Sequence, residues 1–191
     1  MPDRLYLSCW VRGFTETNAL RHFAKMLERF PISILAKRGP VLRVYAIAHS
    51  EPPLLEREFL PGAGAADMLE AAREFMQADC ACEIETFWDL WQYDDDWKLL
   101  PAPVTLACFG PAFENEHGDH LRIEFGLDAL FLPMPHIEGG LRMGQSNVKS
   151  LLHLVGDLER ALDLDRRQVW SESGANFAEV LKQAIGSQHV N

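Results

Sequence analysis

Cys82-Glu83-Ile84-Glu85-Thr86-Phe87-Trp88-Asp89-Leu90-Trp91-Gln92-Tyr93 (residues 82–93) alternates with a period of two. Successive side chains of a strand point to opposite faces, so Ile84, Thr86, Trp88 and Leu90 share one face. Glu83, Glu85, Phe87, Asp89, Trp91 and Tyr93 share the other. The first set is apolar enough to be core, and Trp88 belongs there. The second mixes rings with carboxylates and suits a surface.

Working back from this strand, Asp67-Met68-Leu69-Glu70 has capping-box spacing. It predicts a helix with Met68, Leu69, Ala72, Phe75 and Met76 inward. Residues 50–64, rich in proline and glycine, read as a loop. Ile32–Lys37 and Val41–His49 read as strands around the turn signal Arg38-Gly39-Pro40. Leu20, Phe23, Ala24, Leu27 and Phe30 recur at helical spacing, with Thr15 or Thr17 to cap and Pro31 to stop. Residues 4–12 are strand-like. The order through residue 92 is therefore β-α-β-β-α-β, which predicts a ferredoxin-like unit.

Working forward, Val104–Gly110 and His120–Phe125 read as further strands, with Pro101 and Pro103 marking an irregular entry or a sheet edge. Residues 133–146 read as a loop rich in proline and glycine, with Ser146 capping a long helix. Val148, Leu151, Leu152, Val155, Leu158 and Leu162 form its inward stripe. Gln168–Ser171 is a short strand candidate. Asn176 and Glu179 offer a second capping box, before a helix carrying Phe177, Val180, Leu181, Ala184 and Ile185 and stopped by Gly186. The fold class is thus α+β, a ferredoxin-like half continued by antiparallel strands and two C-terminal helices. A single domain over 1–191 is expected, with 1–96 and 97–191 as the alternative subdivision.

The 191 residues are 48% hydrophobic and 24% charged, a globular rather than a disordered composition. The net charge of −10 is confined to residues 74–121. Glu74, Asp79, Glu83, Glu85, Asp89, Asp94, Asp95, Asp96, Glu114, Glu116 and Asp119 stand there against Lys98 alone. This argues against nucleic-acid binding, which relies on lysine and arginine at the phosphates. The first 49 residues are basic, with Arg4, Arg12, Arg21, Lys25, Arg29, Lys37, Arg38 and Arg43 against three acids. Pairing of that excess with the acidic block, inside the chain or between subunits, is the expectation. No apolar run approaches ~20 residues, so no membrane-spanning helix is expected, and the start of the chain lacks a signal-peptide pattern. Cys9, Cys80, Cys82 and Cys108 match no metal or redox spacing. They read as reduced thiols of a cytoplasmic protein.

Two clusters carry chemistry. Phe87, Asp89, Trp91, Tyr93, Asp94, Asp95, Asp96 and Trp97 form an acidic aromatic surface, suited to guanidinium because rings and carboxylates both attract it. Its plain alternative is a solvated hairpin turn. Glu114, Glu116, His117, Asp119 and His120 include nitrogen and oxygen ligands for a divalent ion, or form an ordinary hairpin tip. The two clusters are expected at opposite ends of a strand, ~20 Å or more apart. The glycines of residues 133–146 precede a helix but match no phosphate-loop pattern. Ser171 and Ser173 lack the Gly-x-Ser-x-Gly setting of a nucleophile.

The expected function is non-catalytic binding, with a basic protein or a second copy of the chain as partner and no cofactor. A metal-dependent hydrolase using His117 and His120 is the alternative, and a small-molecule pocket between sheet and helices is compatible with the composition.

Overall fold

The alternating segment belongs to a long hairpin that crosses the middle of the chain. In the computed structural model, which describes residues 3–173 and 177–186 (the last four as backbone only), seven strands and four α-helices follow in order. They are β1 (Arg4–Val11), α1 (Ala19–Arg29), β2 (Val41–Ala46), β3 (Leu55–Glu58), α2 (Ala65–Arg73), β4 (Cys80–Asp94) and β5 (Asp96–Phe109). Then come β6 (Leu121–Leu127), α3 (Gly140–Ala161), β7 (Leu164–Ser171) and α4 (Phe177–Gly186). One sheet holds all seven strands in the order β3-β2-β4-β5-β6-β1-β7, and every neighbouring pair is antiparallel. The β4–β5 ladder runs without a break from Ala81↔Phe109 to Asp94↔Asp96, so pairing continues straight through the 96/97 boundary.

The β-α-β-β-α-β order of residues 4–94 matches the sequence reading, but the ferredoxin-like arrangement does not follow. Only β3-α2-β4 is a split β-α-β unit, closed around β2. Between β1 and β2, the strands joined through α1, stand three others: β4, β5 and β6. The reason is where β1 finds its ladders. It pairs with β6 and β7, both from the second half of the chain. Periodicity fixes which face a strand buries, and it carries no information on which strand lies beside it.

All helices whose contacts are resolved pack on one face. The buried rows are Leu5, Leu7, Cys9 and Val11 on β1, and Ile84, Thr86, Trp88 and Leu90 on β4. Phe23, Phe125 and Phe131 are fully buried among them, each contributing roughly 1.5–3 kcal/mol of transfer free energy. The opposite face of the sheet is open except at the hairpin base. There Phe109 and Phe113 close a small cluster with Ala81 and Ala107.

Several local readings need correction. Residues 32–37 are not a strand: Ser33 and Ile34 wrap the Asp89 carboxylate, leaving Ile34 92% exposed. The second strand of that hairpin is instead β3, inside the expected loop. Gly39 enters β2 where a Cβ would lie 1.8 Å from the Phe59 carbonyl oxygen, so the approach requires glycine. β2 ends where Ile47 adopts φ 67°. α2 starts after Gly64, which puts Asp67 inside its first turn and removes the expected box. α3 starts at Gly140, not after Ser146. Its buried stripe runs through Leu151, Leu154, Val155 and Leu158, and Leu152 faces out at 61% exposure. β5 begins at the hairpin tip and β7 is twice the expected length. The Asn176–Glu179 box and the side chains of Ala184 and Ile185 lie outside the described residues.

Candidate functional site

The last β2–β4 pair is Val41↔Glu85 and the last β5–β6 pair is Thr105↔Glu124. Residues 86–104 therefore leave the sheet as a two-stranded arm. Its underside is core. Trp88 meets Phe30 at 5.7 Å, Phe125 at 5.7 Å and Phe131 at 6.1 Å between ring centroids. α3 anchors the β4 edge through Asn147, whose amide accepts from Trp91 N–H (2.9 Å) and donates to the carbonyls of Trp91 (2.9 Å) and Leu130 (2.8 Å). Further down that edge, Ser33 N–H donates to the Phe87 carbonyl at 2.7 Å. On the β5 edge Pro101 and Pro103, which lack an N–H, lie beyond the last ladder pair. Both edges of the arm are thus blunted against strand addition.

The upper face of the arm carries Phe87, Asp89, Trp91, Tyr93 and Trp97 of the acidic aromatic cluster, and Asp94–Asp96 form the tip of the arm. The register sets Phe87 opposite Pro103, Asp89 opposite Pro101, Trp91 opposite Leu99 and Tyr93 opposite Trp97. Tyr93 and Leu99 are exposed, while Phe87, Trp91 and Trp97 are half-buried. The Tyr93 and Trp97 rings lie 5.4 Å apart, and Trp97 Nε1 donates to the Glu138 carbonyl at 2.8 Å. Leu99, Pro101 and Pro103 were missed in the sequence. The signal for them is the β4 alternation itself, carried across the hairpin by pairing.

The acids on this strand do not act alike. Glu85 is bonded to Arg43 Nη1 (2.9 Å), whose Nε also holds Glu56 (2.7 Å). Glu83 meets His49 Nε2 at 2.6 Å. Asp89 accepts from Ser33 Oγ–H (2.5 Å) and Ile34 N–H (3.1 Å). The expected pairing of the basic N-terminal segment with the acidic block is therefore internal at Arg43. Asp94, Asp95 and Asp96 are exposed, and among the described residues no lysine, arginine or histidine forms an ion pair with them. Asp95 sits at φ 60°, a left-handed conformation that aspartate adopts more readily than most residues.

Glu114–His120 lies at the other end of β5, a full strand length of roughly 40 Å from the aspartate tip. Its ligand-type side chains diverge. His117 stacks on Trp170 (4.4 Å) on the open face. His120 stacks on Phe14 (4.3 Å), and its Nδ1 accepts from Val11 N–H (2.9 Å). Asp119, fully buried in its side chain, is bonded to Arg122, Ser8 Oγ–H (2.5 Å) and Asn115. Glu114 and Glu116 are exposed. Among the described residues no three such side chains are disposed to hold a metal ion.

Environment sets the protonation of this end. Burial alone would raise the Asp119 pKa, but hydrogen bonds and charge from Arg122, with Ser8 and Asn115, hold it below the usual carboxylate value. Burial lowers His120 and His22, the latter further opposed by Arg21 and Lys25. Burial pushes the Cys9 thiol up to about 12 and raises Cys82 and Cys108. All four cysteines are free and buried, and these three are unsuited to nucleophilic work. Ser8 is equally committed, because its hydroxyl accepts from Trp170 Nε1 (2.9 Å) while donating to Asp119. In the glycine-rich segment a Cβ on Gly140 would lie 2.0 Å from the Met134 carbonyl oxygen, so packing accounts for that glycine. His153 is exposed.

In comparisons with known proteins, no family model, no curated protein and no solved structure matches the chain.

Proposed function

We propose that the chain is a binding protein whose recognition surface is the tip and upper face of the β4–β5 arm, and that its partner is an arginine-bearing basic polypeptide. The observation that carries this reading is the contrast among the acids. Glu83, Glu85 and Asp89 are held by groups from other segments of the chain, whereas Asp94–Asp96 are exposed at the tip next to Tyr93 and Trp97. There Asp96 accepts from its neighbour Trp97 N–H (2.8 Å), and no cation of the described residues pairs with any of the three. Guanidinium is the group that suits both, since it pairs with carboxylates through a planar fork and stacks on aromatic rings. Ammonium lacks the fork and is more strongly hydrated. The blunted edges direct recognition to side chains on the face and away from backbone pairing.

Titration of the full chain with an arginine-rich peptide and with a lysine-rich peptide of equal charge tests this. Tighter binding of the arginine peptide is expected. It should weaken as salt rises from about 0.1 M to about 1 M, where screening shortens from ~10 Å to ~3 Å. It should also be lost in the Asp94→Asn/Asp95→Asn/Asp96→Asn variant. Equal binding by that variant overturns the proposal.

A further inference from the structure

The open face carries a second constellation, around β1 and β7, that the arm does not use. Cross-strand pairing places Trp10 opposite Arg166, Ser8 opposite Gln168 and Tyr6 opposite Trp170. The Arg166 guanidinium lies 4.0 Å above the Trp10 ring centroid. Two rows away the Trp170 ring stacks with both Tyr6 and His117, each at 4.4 Å. Between these stacks is a cleft of about 210 Å³ lined by Trp10, His117, Arg166, Gln168, Trp170 and Glu172.

Each polar wall can be read by what it already bonds. Glu172, at the rim of the cleft, accepts from Tyr6 Oη–H (3.4 Å) and Arg4 N–H (3.2 Å), so its carboxylate is partly engaged within the chain. Gln168 Oε1 accepts from Arg166 Nη2 (2.9 Å), which leaves the Gln168 amide N–H groups as donors. The Arg166 guanidinium has five N–H donors, and the one recorded bond uses only one of its nitrogens. The His117 ring makes a stack and, among the described residues, no recorded side-chain hydrogen bond. Apart from the partly engaged Glu172, the polar groups lining the cleft offer donors, between two ring stacks. Arg166 is held flat by Trp10, so it gives up little freedom when it pairs with a ligand.

We infer that this cleft binds a small aromatic carboxylate, its ring against the His117–Trp170 stack and its carboxylate on Arg166 and Gln168. Size supports a single ring. The cleft is smaller than the ~300–1,000 Å³ of pockets for drug-sized ligands. A guanidinium already covers Trp10, so a cationic ligand meets like charge there. The site is built on two paired strands of the sheet, which hold Trp10, Arg166, Gln168 and Trp170 by register.

The test is titration of the full chain, labelled with ¹⁵N, with benzoate. The indole N–H resonances of its five tryptophans are assigned by single Trp→Phe replacements. Saturable shifts confined to Trp10 and Trp170, with Trp88 unmoved, are expected. Arg166→Ala should weaken binding by about tenfold or more, and neutral benzamide should bind correspondingly worse. Arg166 is exposed, and unchanged shifts of buried Trp88 in Arg166→Ala report that the fold is intact. Absence of saturation by about 50 mM benzoate overturns the inference, as do equal shifts of all five indoles or equal binding of benzamide. The arm variant Asp94→Asn/Asp95→Asn/Asp96→Asn is expected to bind benzoate like the wild type, which separates this site from the proposed partner surface.

Discussion

Trp97 donates its indole N–H to the backbone carbonyl of Glu138 at 2.8 Å, across 41 residues of sequence. This bond ties the acidic end of the β4–β5 arm to the segment entering α3, where Gly139 lies 3.4 Å from the indole measured from its would-be Cβ. A free two-stranded hairpin is marginal in water. Here the tip is docked through Trp97, which would lower the ordering cost of the proposed recognition.

Trp97→Phe keeps a ring beside Tyr93 and removes the donor. A stability loss of about 0.5–1.5 kcal/mol is expected, the usual worth of one such bond. Amide exchange over residues 93–99 should accelerate while that of β1 stays unchanged. Unaltered exchange at the tip would show that the bond does not hold it.

Asn147 is buried and serves three backbone groups of the arm and the turn beneath it. Asn147→Ala leaves Trp91 N–H, Trp91 C=O and Leu130 C=O unpaired, and each buried orphan costs about 1–3 kcal/mol where water cannot reach it. A loss of roughly 3 kcal/mol or more in urea unfolding is expected, three orphans at the low end of that range. A loss below about 1 kcal/mol means that water replaces the amide.

Among the described residues Asp119 and Arg122 form the most enclosed ion pair, with side chains 0% and 18% exposed. Asp119→Asn strands the guanidinium, and about 3 kcal/mol is expected from breaking a buried pair on one side. The folded-state pKa of Asp119 is depressed, so its contribution is present above the unfolded value of 3.8 and is lost as pH falls through the folded value. The variant should therefore show a shallower acid-unfolding profile below about pH 4. A profile parallel to the wild type would place the acid sensitivity elsewhere.

His22 is 8% exposed and its Nδ1 has no hydrogen-bond partner among the described residues. His22 and His120 both have lowered folded-state pKa values, so the unfolded chain takes up protons first. Stability is full above the ordinary histidine value near 6.5 and declines as pH falls below it toward the folded values. The urea midpoint should drop between about pH 7.5 and about pH 5.5, and less so in His22→Phe. An equal drop in that variant assigns the effect to His120 alone.

The strand at residues 82–93 shows how far pattern alone reaches. Period two assigned Trp88 to the core and Phe87, Trp91 and Tyr93 to the outer face, and burial agrees residue by residue. The same logic failed over 32–37, where apolar content suggests a strand. Asp89 offers that segment side-chain acceptors instead, a competition that local sequence cannot display. The helix starts at α2 and α3 were misplaced because Gly64 and Gly139 stand at the caps, ahead of the polar residues that fit the usual pattern.

The chain's sequence by itself determined the α+β class, the two faces of β4, the location of the charge and the separation of its two acidic segments. Those properties follow from periodicity and from distance along a strand. Tertiary structure decided which strand stands beside which, because ladders between β1 and the late strands depend on backbone bonding that every residue type can supply. It also decided which acids are spent on Arg43, His49 and Ser33, which histidines diverge, and that Trp10 and Trp170, 160 residues apart in sequence, flank one cleft.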